Sequence, residues 1–213
     1  MFLHLRPVTQ LCAAALMGLA AETAVAQSRS DVLIAVGEQG PNSLDTHGPA
    51  ANDYTRMIAW NVYDRLVSHG SKTLEDGTVA YDINTITPEL AESWEVSEDG
   101  TVLTFKLRED AVFHDGTPVT AADVKWSFDR AVSVGGFPSI QMAAGSFTDP
   151  EQFVAIDDHT FQITLPEANK LALPDLTVPV PIVINSKMAI ENATEDETCA
   201  IEWLKRNTAG SGA

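Results

Sequence analysis

The stretch that most restricts how this chain can fold runs from Pro88 to Ala131, "PELAESWEVSEDGTVLTFKLREDAVFHDGTPVTAADVKWSFDRA". Trp94 and Val96 alternate with polar neighbours before the turn Ser97 to Gly100, and Leu103, Phe105 and Leu107 alternate after it. Period two on both sides of a Glu-Asp-Gly turn predicts an antiparallel hairpin with one buried face. Asp115-Gly116-Thr117-Pro118 is turn chemistry: the Asp side chain bonds the backbone that follows it, Gly takes dihedrals other residues avoid, and Pro fixes the exit. Thr120 and Asp123 then fit a capping box, in which a hydroxyl and an acidic side chain three positions on satisfy free backbone N–H groups. Behind the cap, Val124, Phe128 and Val132 recur every fourth residue, which predicts a helix with that face inward. Asp129 and its neighbour Arg130 are expected on the solvent side.

The rest of the chain reads less sharply. "DVLIAVGEQ", Asp31 to Gln39, is a nearly continuous apolar run that suits an interior strand. "GPNSLDTHGPAAND" is a long loop. A helix is expected from Asn52 or Asp53, either a plausible N-cap, with Tyr54, Ile58, Val62 and Leu66 on its buried face. Residues Ser68 to Asp82 are polar and read as loop. "FVAIDDHTFQITL" predicts a second hairpin, turning at Asp157 to His159, with Phe161, Ile163 and Leu165 on one face. "SVGGFPSIQMAAGSFTDPEQ" reads as Gly-rich loop, "LTVPVPIVI" as an edge or irregular strand, and "IEWLKRN" as a short helix. Helices mixed with strands make this an α/β chain.

The first residues carry Arg6, an apolar run from Leu11 to Ala21, and Ala24-Val25-Ala26. That order predicts a secretory signal peptide over residues 1–26. The run is too short for a permanent anchor, and Cys12 precedes it rather than closing a lipoprotein signal. The expected product is exported and soluble. A formal charge of −17 repels phosphate backbones and anionic membranes, which argues against nucleic acid and lipid as partners. Beyond the signal one cysteine remains, Cys199, either a buried free thiol or one half of a bridge to a residue outside this chain. With 45% hydrophobic residues, the chain can build a real core as one large domain or two small ones.

His114 beside Asp115 invites a metal or acid–base reading, yet the sequence holds no His-x-His, no His-Glu-x-x-His and no Cys pair to complete a zinc site. His47, His69 and His159 are equally isolated. Ser146 and Ser211 follow glycines in loops, outside the strand-turn-helix setting that a nucleophile elbow needs. No phosphate-cradling Gly-rich loop with a following Lys is present. No catalytic residue, metal ligand or cofactor is assigned, and a secreted enzyme using scattered carboxylates stands as the rival class.

"NSLDTH", the helix with "NVYDRLV" and the whole run from Pro88 to Ala131 resemble the extracellular solute-binding proteins of family 5, the peptide-, dipeptide- and nickel-type receptors of ABC transporters. The resemblance runs on to "NTAGSGA", which is similar to the family's Gly-rich entry into a further strand. It implies a periplasmic binding protein-like fold of type II with an extra subdomain, of which only the N-terminal lobe portion is present. Residues 27–45 would be the first segment of that lobe, 46–204 the extra subdomain and 205–213 the start of the return, with the second lobe absent. The chain would then be a truncated gene product or an incomplete sequence, and it would bind weakly or not at all, since a clamshell needs both lobes. The implied role is a monomeric periplasmic receptor that captures a small-molecule ligand, peptide being the first choice ahead of nickel chelates, haem, opines and oligosaccharides, and passes it to an inner-membrane ABC permease. Ligand contacts carried over are Thr46, His47, Ala50, Ala51 and Asn52 in the loop after "SLD", and Phe137, Ser139, Gln141 and Met142 in the Gly-rich loop after the capped helix. Some peptide-binding relatives place an acidic residue in the first loop. This loop has Gly48-Pro49-Ala50-Ala51 there with only Asp53 nearby, so the resemblance implies backbone contacts rather than a salt bridge to the ligand.

Overall fold

The two hairpins form as their alternation requires. In the computed structural model, which describes residues 37–49 and 51–212, they build one antiparallel sheet: β3 (Ala91–Val96), β4 (Val102–Leu107), β5 (Phe153–Asp157) and β6 (Thr160–Thr164), in the order β3-β4-β6-β5. Leu103, Phe105, Leu107, Phe161, Ile163 and Leu165 are all buried on the inner face. Helix α2 (Ala121–Ser133) covers that face, and the Phe128 ring meets those of Phe153 and Phe161 edge-on at 5.4 Å each. The capping box is present: Asp123 Oδ2 accepts from the Thr120 backbone N–H at 3.0 Å and from its hydroxyl at 2.7 Å. Asp115 closes its turn by accepting from the Thr117 N–H at 2.9 Å.

Several expectations are corrected. Residues 68–82 are not a loop: β1 (Val67–Thr73) and β2 (Val79–Pro88) pair as a separate antiparallel ribbon with a bulge between His69 and Gly70. Most of its side chains stay in solvent, so no period-two burial signal exists in its sequence. Helix α1 (Asp53–Val62) is capped by Asn52, whose side chain accepts from the Thr55 N–H, but it buries Thr55 and Ala59 rather than Tyr54, Ile58 and Val62. The Thr55 hydroxyl donates to the Ser43 carbonyl at 2.6 Å and draws that side of the helix onto the preceding loop. The Gly-rich stretch after α2 contains helix α3 (Gly136–Ala144). Gly135 and Gly136 supply positive φ values of +75° and +68° at its entry, a conformation that favours glycine. Residues 176–184 form no regular strand. They run as buried chain held by one bridge, Arg65 to Ile182, and lie between the short helices α4 (Ala172–Asp175) and α5 (Ser186–Glu191). "IEWLKRN" does begin a short helix, α6 (Ile201–Leu204).

The signal peptide and most of the expected first strand lie outside the described residues, and Gly37 to Gln39, its last three residues, are irregular. From Glu38 onward the chain is one unit with two apolar clusters. The larger lies between the sheet and α2. The smaller gathers Ala59, Tyr63, Ile182, Ile184, Ala189, Ala200, Leu204 and Ala209. The final residues are woven into the second cluster. Ala209 O accepts from the Asn185 N–H, Gly210 O from the His114 N–H, and the Gly212 N–H donates to Val62 O. His114 Nε2 also meets Gly212 O at 2.7 Å, so this histidine holds chain to chain. Among the described residues no helix is long and apolar enough to cross a membrane.

Candidate ligand site

Helix α2 carries a second buried stripe that is polar. Asp123, Ser127 and Arg130 stand at i, i+4 and i+7, one above another on the same face. Asp123 Oδ1 accepts from the Ser186 N–H and hydroxyl, and Ser127 Oγ accepts from the Ile184 N–H at 2.9 Å. Arg130 reaches furthest. Its Nη1 and Nη2 donate to Asp45 Oδ1 and Oδ2 at 2.8 and 2.6 Å, and its Nε donates to the Cys199 carbonyl at 2.7 Å. Both side chains of this pair are buried, at 1% and 0% exposure. The expected solvent position of Arg130 is therefore corrected, whereas its neighbour Asp129 is half-buried and paired with Lys125.

Asp45 is the last residue before the first expected ligand loop, and the Arg130 fork fixes where that loop starts. Asp45 Oδ1 also accepts from the His47 N–H at 3.0 Å, and Asp45 O accepts from the Gly48 N–H. Thr46 and His47 are thereby turned inward and buried. His47 Nε2 meets the Val180 carbonyl at 2.7 Å. Desolvation by burial, followed by the charge of Arg130, lowers its pKa to about 4, so the ring is neutral at physiological pH.

The loop then crosses to α3. A Cβ placed on Gly136 would lie 3.1 Å from Pro49, so the two stretches touch. Arg56 of α1 joins them: its Nη1 donates to Ala51 O at 3.0 Å and its guanidinium lies over the Phe137 ring, 4.6 Å from the centroid. Sequence reasoning missed both arginines. Arg56 gives no signal of its own, but the polar stripe ending at Arg130 is visible as helical spacing.

The nine expected contact residues thus divide. Ala51, Asn52 and Phe137 lie along the seam, with Asn52 half-buried as the cap of α1 and Phe137 exposed. Thr46 and His47 lie beneath the first loop. Ser139 is spent on the entry of α3, accepting from the Gly135 N–H and donating to the carbonyls of Ala131 and Val132. Gln141 donates to Asp175 Oδ1 at 2.6 Å. Met142 is fully buried in the main core and reaches no solvent. Ala50 lies outside the described residues. Asp175 is itself nearly buried, and desolvation pushes its carboxyl up to about 6 against the opposing hydrogen bond from Gln141. Cys199 is a half-exposed free thiol.

The family model described as "Bacterial extracellular solute-binding proteins, family 5 Middle" matches residues 85–213. The chain belongs to this family. It is 34% identical over 189 residues to the Escherichia coli K12 protein named "Probable D,D-dipeptide-binding periplasmic protein DdpA", covering 85% of this chain and 32% of that one. Among solved structures it is similar to the binding protein AgaA of A. tumefaciens R10 in complex with agropinic acid, with TM-score 0.60 and 30% identity over 81% of this chain and 30% of that one. It is also similar to the periplasmic binding protein DppA of Helicobacter pylori in complex with the peptide STSA, with TM-score 0.61 and 26% identity over 81% of this chain and 34% of that one. The chain therefore spans about a third of the length of these relatives.

Proposed function

We propose that this chain is the ligand-capturing part of a periplasmic receptor that takes up a short peptide or a similar small solute and hands it to an ABC permease in the inner membrane. One observation carries the reading. The two loops assigned to ligand contact, separated by about ninety residues in sequence, lie against each other through Pro49 and Gly136 and through Arg56 over Phe137. Ala51, Asn52 and Phe137 form the ligand-facing edge, with Ala50 beside them in sequence. Thr46, His47, Ser139, Gln141 and Met142 support that edge from below. The role is capture without turnover, by a monomer that is exported and then cleaved near Ala26. The ligands of AgaA and DppA, agropinic acid and the peptide STSA, bracket the solute class.

A thermal-shift and NMR screen of di- and tripeptides against this chain, alongside a chain extended to the length of the relatives, tests the reading. The expected result is a ligand-dependent rise in melting temperature of the longer chain, shifts of the Ala51, Asn52 and Phe137 amides in both, and unchanged peptide. Peptide consumption, or shifts confined to other surfaces, would overturn it.

A further inference from the structure

We propose that Arg56 reads a carboxylate on the ligand, so that the solutes of this site are acids whose anionic end lies beside an apolar group. This rests on the reading of the two loops as the ligand surface. Arg65 and Arg130 are each engaged by a carboxylate that is itself largely buried, Glu89 at 17% and Asp45 at 0% side-chain exposure. Arg56 differs. It is held to the seam by Ala51 O and by the Phe137 ring, while among the described residues its Nη2 meets only Asp53, three residues earlier on the same helix and 86% exposed. Asp53 is the exposed half of this pair, the Arg56 side chain being 23% exposed, so its carboxylate can return to water at little cost when another takes its place. A ligand carboxylate that brings its own contacts can take the place of Asp53 on Nη2, since the guanidinium fork matches that group in geometry and charge.

The surroundings favour the same ligand. Phe137, 41% exposed with its ring 4.6 Å from the guanidinium, offers apolar surface beside the cation, and Met57 and Ile140 are exposed at 53% and 71% on the same two helices. Asp45, the carboxylate just before the first loop, is enclosed by Arg130 and cannot meet a ligand amine. In a chain with 30 acidic and 13 basic residues, an arginine joining the two ligand loops is not the surface average.

The probes are N-acetyl-alanyl-phenylalanine, which has a carboxylate and no amine, and its C-terminal amide, which has neither charge. Each is titrated into the isotopically labelled chain while the Arg56 side-chain N–H and the amides of Ala51, Asn52 and Phe137 are followed by NMR. The acid is expected to bind about tenfold more tightly than the amide, as one charge-assisted contact to a carboxylate provides. Arg56→Gln should erase that preference, Arg56→Lys should keep part of it, and Asp53→Asn should strengthen acid binding by removing the competitor. Signal dispersion of each variant reports its fold. Equal binding of acid and amide at these amides overturns the proposal and leaves the ligand loops standing. Loss of binding in Asp53→Asn but not in Arg56→Gln overturns it, because the Asp53 carboxylate and not the guanidinium would then be the contact. No shift at these amides with either probe, while other peptides shift them, overturns it likewise, and silence with every peptide, in this chain and in one extended to the length of the relatives, overturns both readings.

Discussion

Two arginines hold the same loop near its two ends, Arg130 at Asp45 and Arg56 at Ala51, with opposite consequences. Arg130 reaches Asp45 from α2, and water touches neither side chain. Arg56 reaches Ala51 and Asp53, and its carboxylate partner is almost fully exposed. A charge buried with its partner cannot lose that partner without a large desolvation cost. A guanidinium whose carboxylate partner stands in water can exchange that partner for another carboxylate at much smaller cost. The first arrangement locks the base of the loop, and the second leaves its rim open to a ligand.

The comparison is broken most directly at the lock. Arg130→Met leaves Asp45 enclosed without its partner, and the expected loss is about 3–5 kcal/mol of stability. Urea denaturation measures it, and the double variant Asp45→Leu with Arg130→Met should recover most of the loss because no orphan charge remains. A single-variant loss no larger than that of an exposed pair would erase the distinction between the two arginines. Next in size is Met142→Ala, expected to cost about 2–5 kcal/mol through the cavity it leaves in the main core. Phe137→Ala, five residues earlier on the same helix, should instead change stability little and weaken ligand binding, because its ring is 41% exposed.

These positions also mark how far the sequence could be read. Both hairpins of the main sheet and the capped α2 were legible because one face of each is buried and the period survives in the residues. The β1–β2 ribbon was not, since most of its side chains meet water and backbone pairing alone leaves no pattern. Helix α3 was masked by the glycine pair that opens it. The two loops proposed to meet the ligand were assigned only through the resemblance carried by "NSLDTH" and the run after Pro88. Their division into rim and foundation was not, because Asp45 and Arg130 are 85 residues apart and a polar stripe on a helix ordinarily faces solvent. The stripe Asp123-Ser127-Arg130 faces inward here because the irregular chain around Ile184, Ser186 and Cys199 has backbone groups that no strand pairing satisfies.

Beneath the rim, two groups titrate in opposite senses. His47 has a pKa near 4 in the folded chain against an ordinary 6.5, so the unfolded chain takes up its proton first as the pH falls. Its contribution to stability is full above 6.5 and is lost as the pH falls towards 4. Asp175 stands near 6 against an ordinary 3.8, so the folded chain keeps its proton longer. Its contribution is full below 3.8 and is lost as the pH rises through 6. Glu89, pushed up by burial against the pull of Arg65, acts in the same sense as Asp175. The turn aspartates Asp99, Asp115 and Asp157, held below the ordinary range by their turn hydrogen bonds, act below this window. Between pH 4 and 6 the slopes of His47 and Asp175 oppose each other. Asp175→Asn should therefore lose stability more steeply than the parent chain on acidification across this window. His47→Gln, whose amide can still donate to Val180 O, should gain relative to the parent over the same range. Denaturation midpoints at a series of pH values measure both, and parallel profiles for the two variants would contradict the assignment.

The smallest expected effect is the most discriminating. Arg56→Gln removes the exposed pair with Asp53, and double-mutant values for such pairs place the stability change at about 0.2–1 kcal/mol. The lost stacking of its guanidinium on Phe137 adds little, because that ring remains open to water, and the Ala51 carbonyl that Nη1 leaves can turn to water at the same surface. A larger loss in the melt would make Arg56 a structural clamp like Arg130. Its removal would then change ligand binding through the shape of the loop, and the amides of Ala51 and Asn52 would move in the free variant before any ligand is added. A small loss with those amides unmoved keeps the loop anchored from below by Asp45 and Arg130 and leaves Arg56 free to serve the ligand.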